Sequence, residues 1–183
     1  MKKTIILLSL FAVTSFQKVS AQIYASQTCT LSFFSSTVME NIDATNKEAH
    51  VLLNTANNSI AVKASQTLFI FKSSFMQDHY NENYMESEKY PLTTFTGKIN
   101  EPIDYTKDGK YNVTVTGVLN MHGVDQNRTI TGTLEVKDGK VTIDSKFEVK
   151  VADHKIQVPS LYIEKIAEVI QVTFHTELIP YKK

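Results

Sequence analysis

The chain has 183 residues with 19 basic and 19 acidic side chains, so its formal net charge is zero. Residues 1–21 contain three of the basic residues and no acidic ones, which leaves 162 residues with a net charge of −3. A slightly acidic chain gives no excess of basic residues of the kind that binds nucleic acid or an anionic membrane. The length suffices for one domain with a sizeable core.

The first 21 residues have the organisation of a cleaved secretory signal peptide. Lys2 and Lys3 precede an apolar run over residues 5–16, and Val19-Ser20-Ala21 supplies small residues where a signal peptidase cuts. The run is shorter than the roughly 20 residues that span a bilayer, and no later stretch approaches that length. We therefore expect a soluble mature chain from about Gln22, without an integral membrane segment, in the periplasm or outside the cell.

Cys29 is the only cysteine, so no intrachain disulfide is available. It could be a lipid attachment site, but Ser26-Gln27-Thr28 before it lacks the leucine of a lipoprotein cleavage box. The sequence favours a buried free thiol.

Most of the chain has the residue pattern of β-strands. In the N-terminal half, strands are predicted over residues 30–35, 49–53, 59–71 and 93–99. Four longer segments follow, each with one apolar face, because successive side chains of a strand point to opposite sides. These faces are Val113, Val115, Gly117, Leu119 and Met121; Ile130, Gly132, Leu134 and Val136; Val141, Ile143, Ser145, Phe147, Val149 and Val151; and Ile170, Val172, Phe174, Thr176 and Leu178.

Two Asp-Gly turns, at residues 107–110 and 137–140, predict type I′ hairpins that make adjacent strands antiparallel. One helix is predicted, over residues 75–87. Ser74 and Gln77 have the spacing of a capping box, and Met76, Tyr80 and Tyr84 fall on one helical face.

A sheet of about eight strands with one apolar face must be covered by a second sheet, by helices or by closure on itself. One short helix covers too little. A closed barrel uses every apolar row and leaves no long edge exposed, whereas a sandwich of two sheets is the alternative. The sequence thus predicts an all-β fold, an antiparallel barrel of about eight strands with one short helix.

Small residues interrupt the inward rows and bear on what fills the barrel. They either leave a lumen for one ligand or only allow the strands to bend. The large residues beside them are equally consistent with a solid core and with the apolar lining of a lumen, so periodicity leaves both interpretations open. The small residues are Gly97, Gly117, Gly132, Ser145 and Thr176.

Three stretches resemble the YceI-like polyisoprenoid-binding family. Residues 78–91, DHYNENYMESEKYP, followed by Thr94 and Phe95, are similar to its acidic helix and kYPxxxF stretch. Residues 117–124, GVLNMHGV, are similar to its GxLTxxGVT strand and turn, and residues 31–33 to its opening IxF strand. The resemblance implies a lipocalin-like barrel domain over residues 22–183, exported, with a long isoprenoid or similar amphiphile in the lumen.

With this resemblance, the large inward residues become the candidate ligand-binding set. Burying a methylene contributes roughly 0.8 kcal/mol, while association costs about 4 to 15 kcal/mol, so a tail of about twenty carbons or more binds usefully. The residues expected to line the lumen are Leu31, Phe33, Phe95, Val115, Leu119, Met121, Ile143, Phe147, Val172 and Phe174, and those expected to close its mouth are Met76, Tyr80 and Tyr84.

Two other functions remain open. A barrel filled by its own side chains would be a structural module that meets a protein partner. A metal-dependent enzyme would use the histidine and carboxylates at helical spacing around His79, although the same pattern is typical of a solvated acidic face. Those side chains are Asp78, His79, Glu82 and Glu86.

The sequence contains no recognisable catalytic motif. His122, His154 and His175 are scattered, with His175 on an outward row, and we expect them to be hydrogen-bonded or solvated rather than bound to haem or zinc. Gly-x-Ser-x-Gly, His-Glu-x-x-His, Cys-x-x-Cys and glycine-rich phosphate loops are absent. No enzyme activity, metal or cofactor is therefore predicted, and pairing of two barrels into a homodimer stays open.

Overall fold

The computed structural model describes residues 22–159 and 164–181, so the predicted signal peptide lies outside the described residues. Within that part, no helix is both long and apolar enough to span a bilayer. The strands are β1 (Ile23–Ser36), β2 (Asn41–Asn46), β3 (His50–Asn54), β4 (Ser59–Ser65), β5 (Ile70–Phe71), β6 (Leu92–Ile99), β7 (Gly109–Met121), β8 (Val124–Lys137), β9 (Lys140–Lys150) and β10 (Val169–Pro180), and helix α1 is Ser74–His79.

The strands close into an antiparallel barrel. Eight of them form a ring in the order β1, β3, β4, β6, β7, β8, β9, β10, and β10 pairs with β1 to complete it. The all-β fold and the closed barrel of eight strands are confirmed, and the alternative of a two-sheet sandwich is wrong. Closure removes the long sheet edges that an open arrangement would leave exposed.

β2 and β5 continue two strands of the ring past an interruption. Phe33 pairs with Ala44 of β2 and Ala25 with Leu52 of β3 in one register, so β2 and β3 are halves of one interrupted strand beside β1. The buried Asn46 stands at the break, where its side chain donates to the Ser65 carbonyl at 2.9 Å and accepts from the Glu48 amide at 2.8 Å. These bonds replace ladder bonds that the break removes.

The prediction for this region was wrong in two respects. β2 was not predicted, because the sequence NIDATN is polar and lacks an alternating apolar row. Residues 59–71 do not form one strand, because a 3₁₀ turn at Gln66–Leu68 separates β4 from β5.

Only one of the two predicted Asp-Gly turns is a type I′ hairpin. Asp138 and Gly139 have φ values of 51° and 74° and join β8 to β9, as the sequence predicts. Gly109 instead begins β7, and Asp108 accepts a hydrogen bond at 3.1 Å from the Asp138 amide. Residues 100–108 therefore form a longer connection, and the prediction there was wrong.

The helical segment begins one residue earlier than predicted and changes its geometry midway. The Ser73 hydroxyl, not that of Ser74, caps α1 by accepting from the Met76 amide at 3.4 Å, and the Gln77 side chain accepts from the Phe71 amide at 3.3 Å. The predicted capping box is thus wrong. A π-helical turn at Tyr80–Tyr84 follows α1 directly.

The two ends of the barrel interior are packed differently. At the end near the β8–β9 turn, the inward side chains are fully buried against one another and the residues Ile103, Tyr105 and Tyr111 pack on them. At the other end, the same inward rows are only half-buried at Val115, Ile130 and Phe147. The side chains of the packed end are Tyr24, Leu53, Ile60, Ile99, Val113, Leu134, Val136, Val141 and Leu178.

Gly117→Ala is expected to lower the free energy of unfolding by about 2 kcal/mol, because an added methyl overpacks the β6–β7 contact. A Cβ at Gly117 would lie 2.3 Å from the Thr96 carbonyl oxygen and 2.5 Å from the Gly97 Cα. Urea denaturation measures the change, with the exposed Val118→Ala as control. Equal stability of both variants would contradict the close approach of the two strands.

Candidate functional site

The half-buried end of the barrel contains a partly open cavity of about 370 Å³. Its wall consists of inward side chains from the barrel strands, and its roof of α1 with the π-helical turn. An apolar cavity of about 150 Å³ already holds benzene, and ligand pockets start near 300 Å³. The interior is therefore neither a solid plug nor a continuous tube but a hollow above a packed floor.

The structure brings all thirteen candidate residues to this cavity. The ten predicted lumen residues lie along its wall, and the three helical residues face it from the roof; whether they bind a ligand stays a prediction. They are Leu31, Phe33, Met76, Tyr80, Tyr84, Phe95, Val115, Leu119, Met121, Ile143, Phe147, Val172 and Phe174.

Further lining residues escaped the sequence prediction for two reasons. Ile130, Val149 and Ile170 stand on inward rows that were recognised, so their alternation was a sufficient signal. Phe71 and Met85 also line the cavity, but they lie beside the broken strand and after the π-helical turn, where no period holds.

The small inward residues have different roles. The Phe95 ring fills the space above Gly97 and Gly117, since a Cβ at either glycine would lie within 3.0 Å of that ring. Thr176 is fully buried and donates to the Thr28 carbonyl at 2.8 Å. Gly132 and Ser145 pair with each other, and both line the cavity.

An aromatic cluster holds the roof over the cavity. The Tyr80 ring lies 5.6 Å from Phe33, 5.9 Å from Phe69 and 5.0 Å from Phe71, between ring centroids. Its hydroxyl donates to the buried Gln66 side chain at 2.6 Å. Burial raises the pKa of this hydroxyl above its usual value, so Tyr80 serves as a neutral donor.

A second attachment joins the segment after the roof to the β7–β8 turn. His122 Nε2 lies 2.8 Å from the Glu86 carboxylate, and the Tyr90 ring packs on the His122 ring with centroids 4.5 Å apart. On the other side, His122 Nδ1 lies 3.1 Å from the His154 carbonyl oxygen. The structure thus brings together two histidines that looked scattered in the sequence.

The fully buried His154 is a neutral imidazole. Its Nδ1–H donates to the carbonyls of Met121 and Val124, each at 3.2 Å, and Nε2 is buried without a hydrogen-bond partner. Burial lowers the pKa of His154 below its usual value, because the charged ring would be desolvated.

His154 is expected to make folding stability fall in mild acid. The unfolded chain binds a proton near the usual pKa of 6.5 while the folded chain resists it, so the free energy of unfolding is lost as pH falls from there toward the lowered pKa. His154→Asn keeps a donor without titrating and should lose less stability between about pH 7.5 and about pH 5 in urea denaturation. An equal or steeper loss in the variant would contradict the assignment.

The described residues contain no group of three or more His, Cys, Asp or Glu side chains placed to hold a metal ion. The His79 ring faces the cavity and packs on Phe75 at 4.2 Å, and the outward His175 contacts Asp144 at 2.7 Å. Cys29 is buried, as predicted, and burial raises its pKa to about 11, so it is a protonated thiol at neutral pH.

Comparisons with known proteins agree with this architecture. A polyisoprenoid-binding domain from Saccharophagus degradans implicated in plant cell wall breakdown has a TM-score of 0.75 at 14% identity, covering 86% of this chain and 98% of its own. BcnA of Burkholderia cenocepacia has a TM-score of 0.67 at 20% identity, covering 81% and 95%. A Campylobacter jejuni YCEI protein has 0.53 at 15% identity, with both chains fully covered.

At these identities the structural likeness shows the fold, and no curated protein sequence matches the chain. The family follows from the sequence itself, because the YceI-like domain profile matches residues 11–178. The chain belongs to the YceI-like domain family.

Proposed function

We propose that this protein binds one long-chain amphiphile of the polyisoprenoid type and carries it in the hollow end of its barrel, without a chemical step. The observation that carries the proposal is the apolar cavity between the packed floor and the roof. Support also comes from the similar fold of a protein described as a polyisoprenoid-binding domain.

The lining suits a hydrocarbon chain. Aromatic and aliphatic side chains such as Phe95, Phe147 and Phe174 form most of the wall, and polar residues such as Glu40, His79 and Lys165 also border the cavity. Each buried methylene contributes roughly 0.8 kcal/mol, so a chain that fills the cavity offsets the cost of association only when many carbons are buried. A long apolar tail with a polar head is therefore the class of ligand that fits.

A carrier of such lipids would act where the predicted signal peptide sends it, in the periplasm or outside the cell. The proposed role there is to shield the tail from water between two membranes or between a membrane and an enzyme.

Native mass spectrometry of the gently purified protein, followed by organic extraction, tests the proposal. We expect a bound amphiphile of defined mass, or stoichiometric uptake of an added long-chain isoprenoid by the delipidated protein. No bound lipid together with no uptake would overturn the proposal. A short isoprenoid of about ten carbons serves as the matched probe and should bind far more weakly, because fewer methylenes are buried.

A further inference from the structure

The barrel wall is incompletely hydrogen-bonded between β8 and β9. Their ladder runs from the Lys137–Lys140 pair only as far as Gly132 and Ser145. β8 nevertheless extends to Val124 and remains paired with β7 along that length, while β9 continues to Lys150 and remains paired with β10. We call this unpaired stretch, residues 124–131 of β8 beside 146–150 of β9, the seam.

Side chains bridge the seam where backbone bonds are missing. The Ser145 hydroxyl donates to the Thr131 carbonyl at 2.6 Å, and the Arg128 guanidinium donates to the Glu148 carbonyl. Just beyond the end of β9, the Gln126 amide donates to the Asp153 carbonyl at 2.7 Å. A stretch held by few backbone hydrogen bonds is expected to open locally more easily than a fully paired ladder.

The end of the β8–β9 ladder, where the seam begins, borders both the internal cavity and a depression on the outer surface. This depression, on the outside of β7 to β10, reaches the same residues as the internal cavity at the point where the ladder ends. On the inner side, Ile130, Phe147 and Val149 flank the seam with apolar surface. The residues common to both cavities are Val113, Thr131, Gly132, Ser145 and Phe174.

We propose that the seam is a lateral portal through which the apolar chain of the ligand passes into the cavity, an inference that rests on the proposed function. Passage between β7 and β8 or between β9 and β10 would break a continuous ladder, and passage through the roof would break the contacts of Tyr80 and of Glu86. A sideways path lets the tail slide between β8 and β9 while the polar head stays in water. Arg128 stands on the inward row of β8, and its hydrogen bond to the Glu148 carbonyl holds this portal closed.

A covalent tether across the seam tests the portal. Continuing the register of Gly132 and Ser145 places Thr129 opposite Glu148, and both side chains are exposed. Thr129→Cys with Glu148→Cys, in a Cys29→Ser background, allows an oxidised tether. The matched control is Glu148→Cys with Gln171→Cys, because Gln171 already pairs with Glu148 in the β9–β10 ladder.

Stopped-flow fluorescence with a long-chain amphiphile that emits on leaving water gives the uptake and release rates. The seam tether should slow both by roughly tenfold or more with little change in affinity, and reduction should restore them, while the control tether changes neither. Unchanged rates and unchanged affinity under a complete seam tether would overturn the portal and leave the proposed function standing. Absence of binding in every sample, tethered or reduced, would overturn both.

Arg128→Ala provides a second measurement that does not depend on forming the disulfide. Removing the hydrogen bond to Glu148 should raise the uptake and release rates roughly fivefold, because the closed state loses one hydrogen bond. The affinity should stay unchanged. Lys146→Ala removes a nearby exposed cation without touching a bridge and serves as control. If neither the tether nor Arg128→Ala alters the rates, the ligand does not pass through the seam.

Discussion

Val115→Trp is expected to weaken binding of a long-chain isoprenoid by roughly a hundredfold, because the indole occupies space that the chain would fill. Val115 is half-buried on the cavity wall. Displacing about four methylenes from the cavity removes about 3 kcal/mol of binding free energy. The fold should tolerate the change, since the new ring enters existing empty space. Equilibrium titration with a fluorescent isoprenoid measures the loss.

Val118→Trp is the matched control for this experiment. Val118 lies three residues along the same strand and points outward, with its side chain exposed to solvent. The Val118→Trp variant introduces the same residue. Because the chain itself has no tryptophan, the fluorescence of either variant also reports the environment of its new indole. Equal affinity of the two variants would show that the ligand does not occupy the cavity.

Leu134→Ala is expected to lower the free energy of unfolding by about 3 kcal/mol, the typical cost of a cavity in a well-packed core. Leu134 is fully buried at the packed end, where Val141 and Leu178 are equally inaccessible. Lipid affinity should change little, because the variant does not reach the cavity. Urea denaturation of the delipidated protein, together with the isoprenoid titration, separates the two effects.

Leu31→Ala makes the same chemical change at the hollow end. Leu31 is half-buried and already borders empty space, so its truncation removes fewer packing contacts and should cost about 1 kcal/mol. Its effect should appear in ligand affinity instead. A larger loss of stability for Leu31→Ala than for Leu134→Ala would contradict the division into a packed floor and a hollow top.

The C-terminal half of the fold could be predicted because its strands are long and regular. β9 alternates without a break from Val141 to Val149, and the turn at Asp138 and Gly139 combines the residues that a type I′ hairpin requires. Once four such rows were recognised, closure into a barrel followed from the need to cover their apolar faces.

The N-terminal half was less predictable because long-range hydrogen bonds override local pattern there. Asn46 ties the break between β2 and β3 to Ser65, 19 residues away, and no local signal reveals that contact. The Asp-Gly pair at Asp108 has the composition of a turn, yet the Asp108 carboxylate accepts a hydrogen bond from the Asp138 amide in another loop. Composition limits the turn conformations that a segment can adopt, and tertiary contacts decide which of them forms.

The candidate site was predictable as a set of inward residues but not as a shape. Alternation places Leu119 and Phe147 on the inner face of the barrel, but it does not show whether side chains fill the interior. Val115 and Ile130 are only half-buried at the hollow end, whereas Leu134 and Leu178 are fully buried at the other end. That difference depends on how the strands pack in three dimensions, which a row of residues does not encode.

The most direct test of a hollow barrel end that holds an apolar chain is amide NMR of the delipidated protein, titrated with a long-chain isoprenoid that carries a nitroxide at the end of its tail. Saturable broadening is expected for amides around the cavity, such as those of Val115, Ile130 and Phe147, with weaker broadening at Leu134 and Leu178 below the floor. Broadening confined to outward residues such as Val118, or none at stoichiometric ligand, would contradict an occupied cavity.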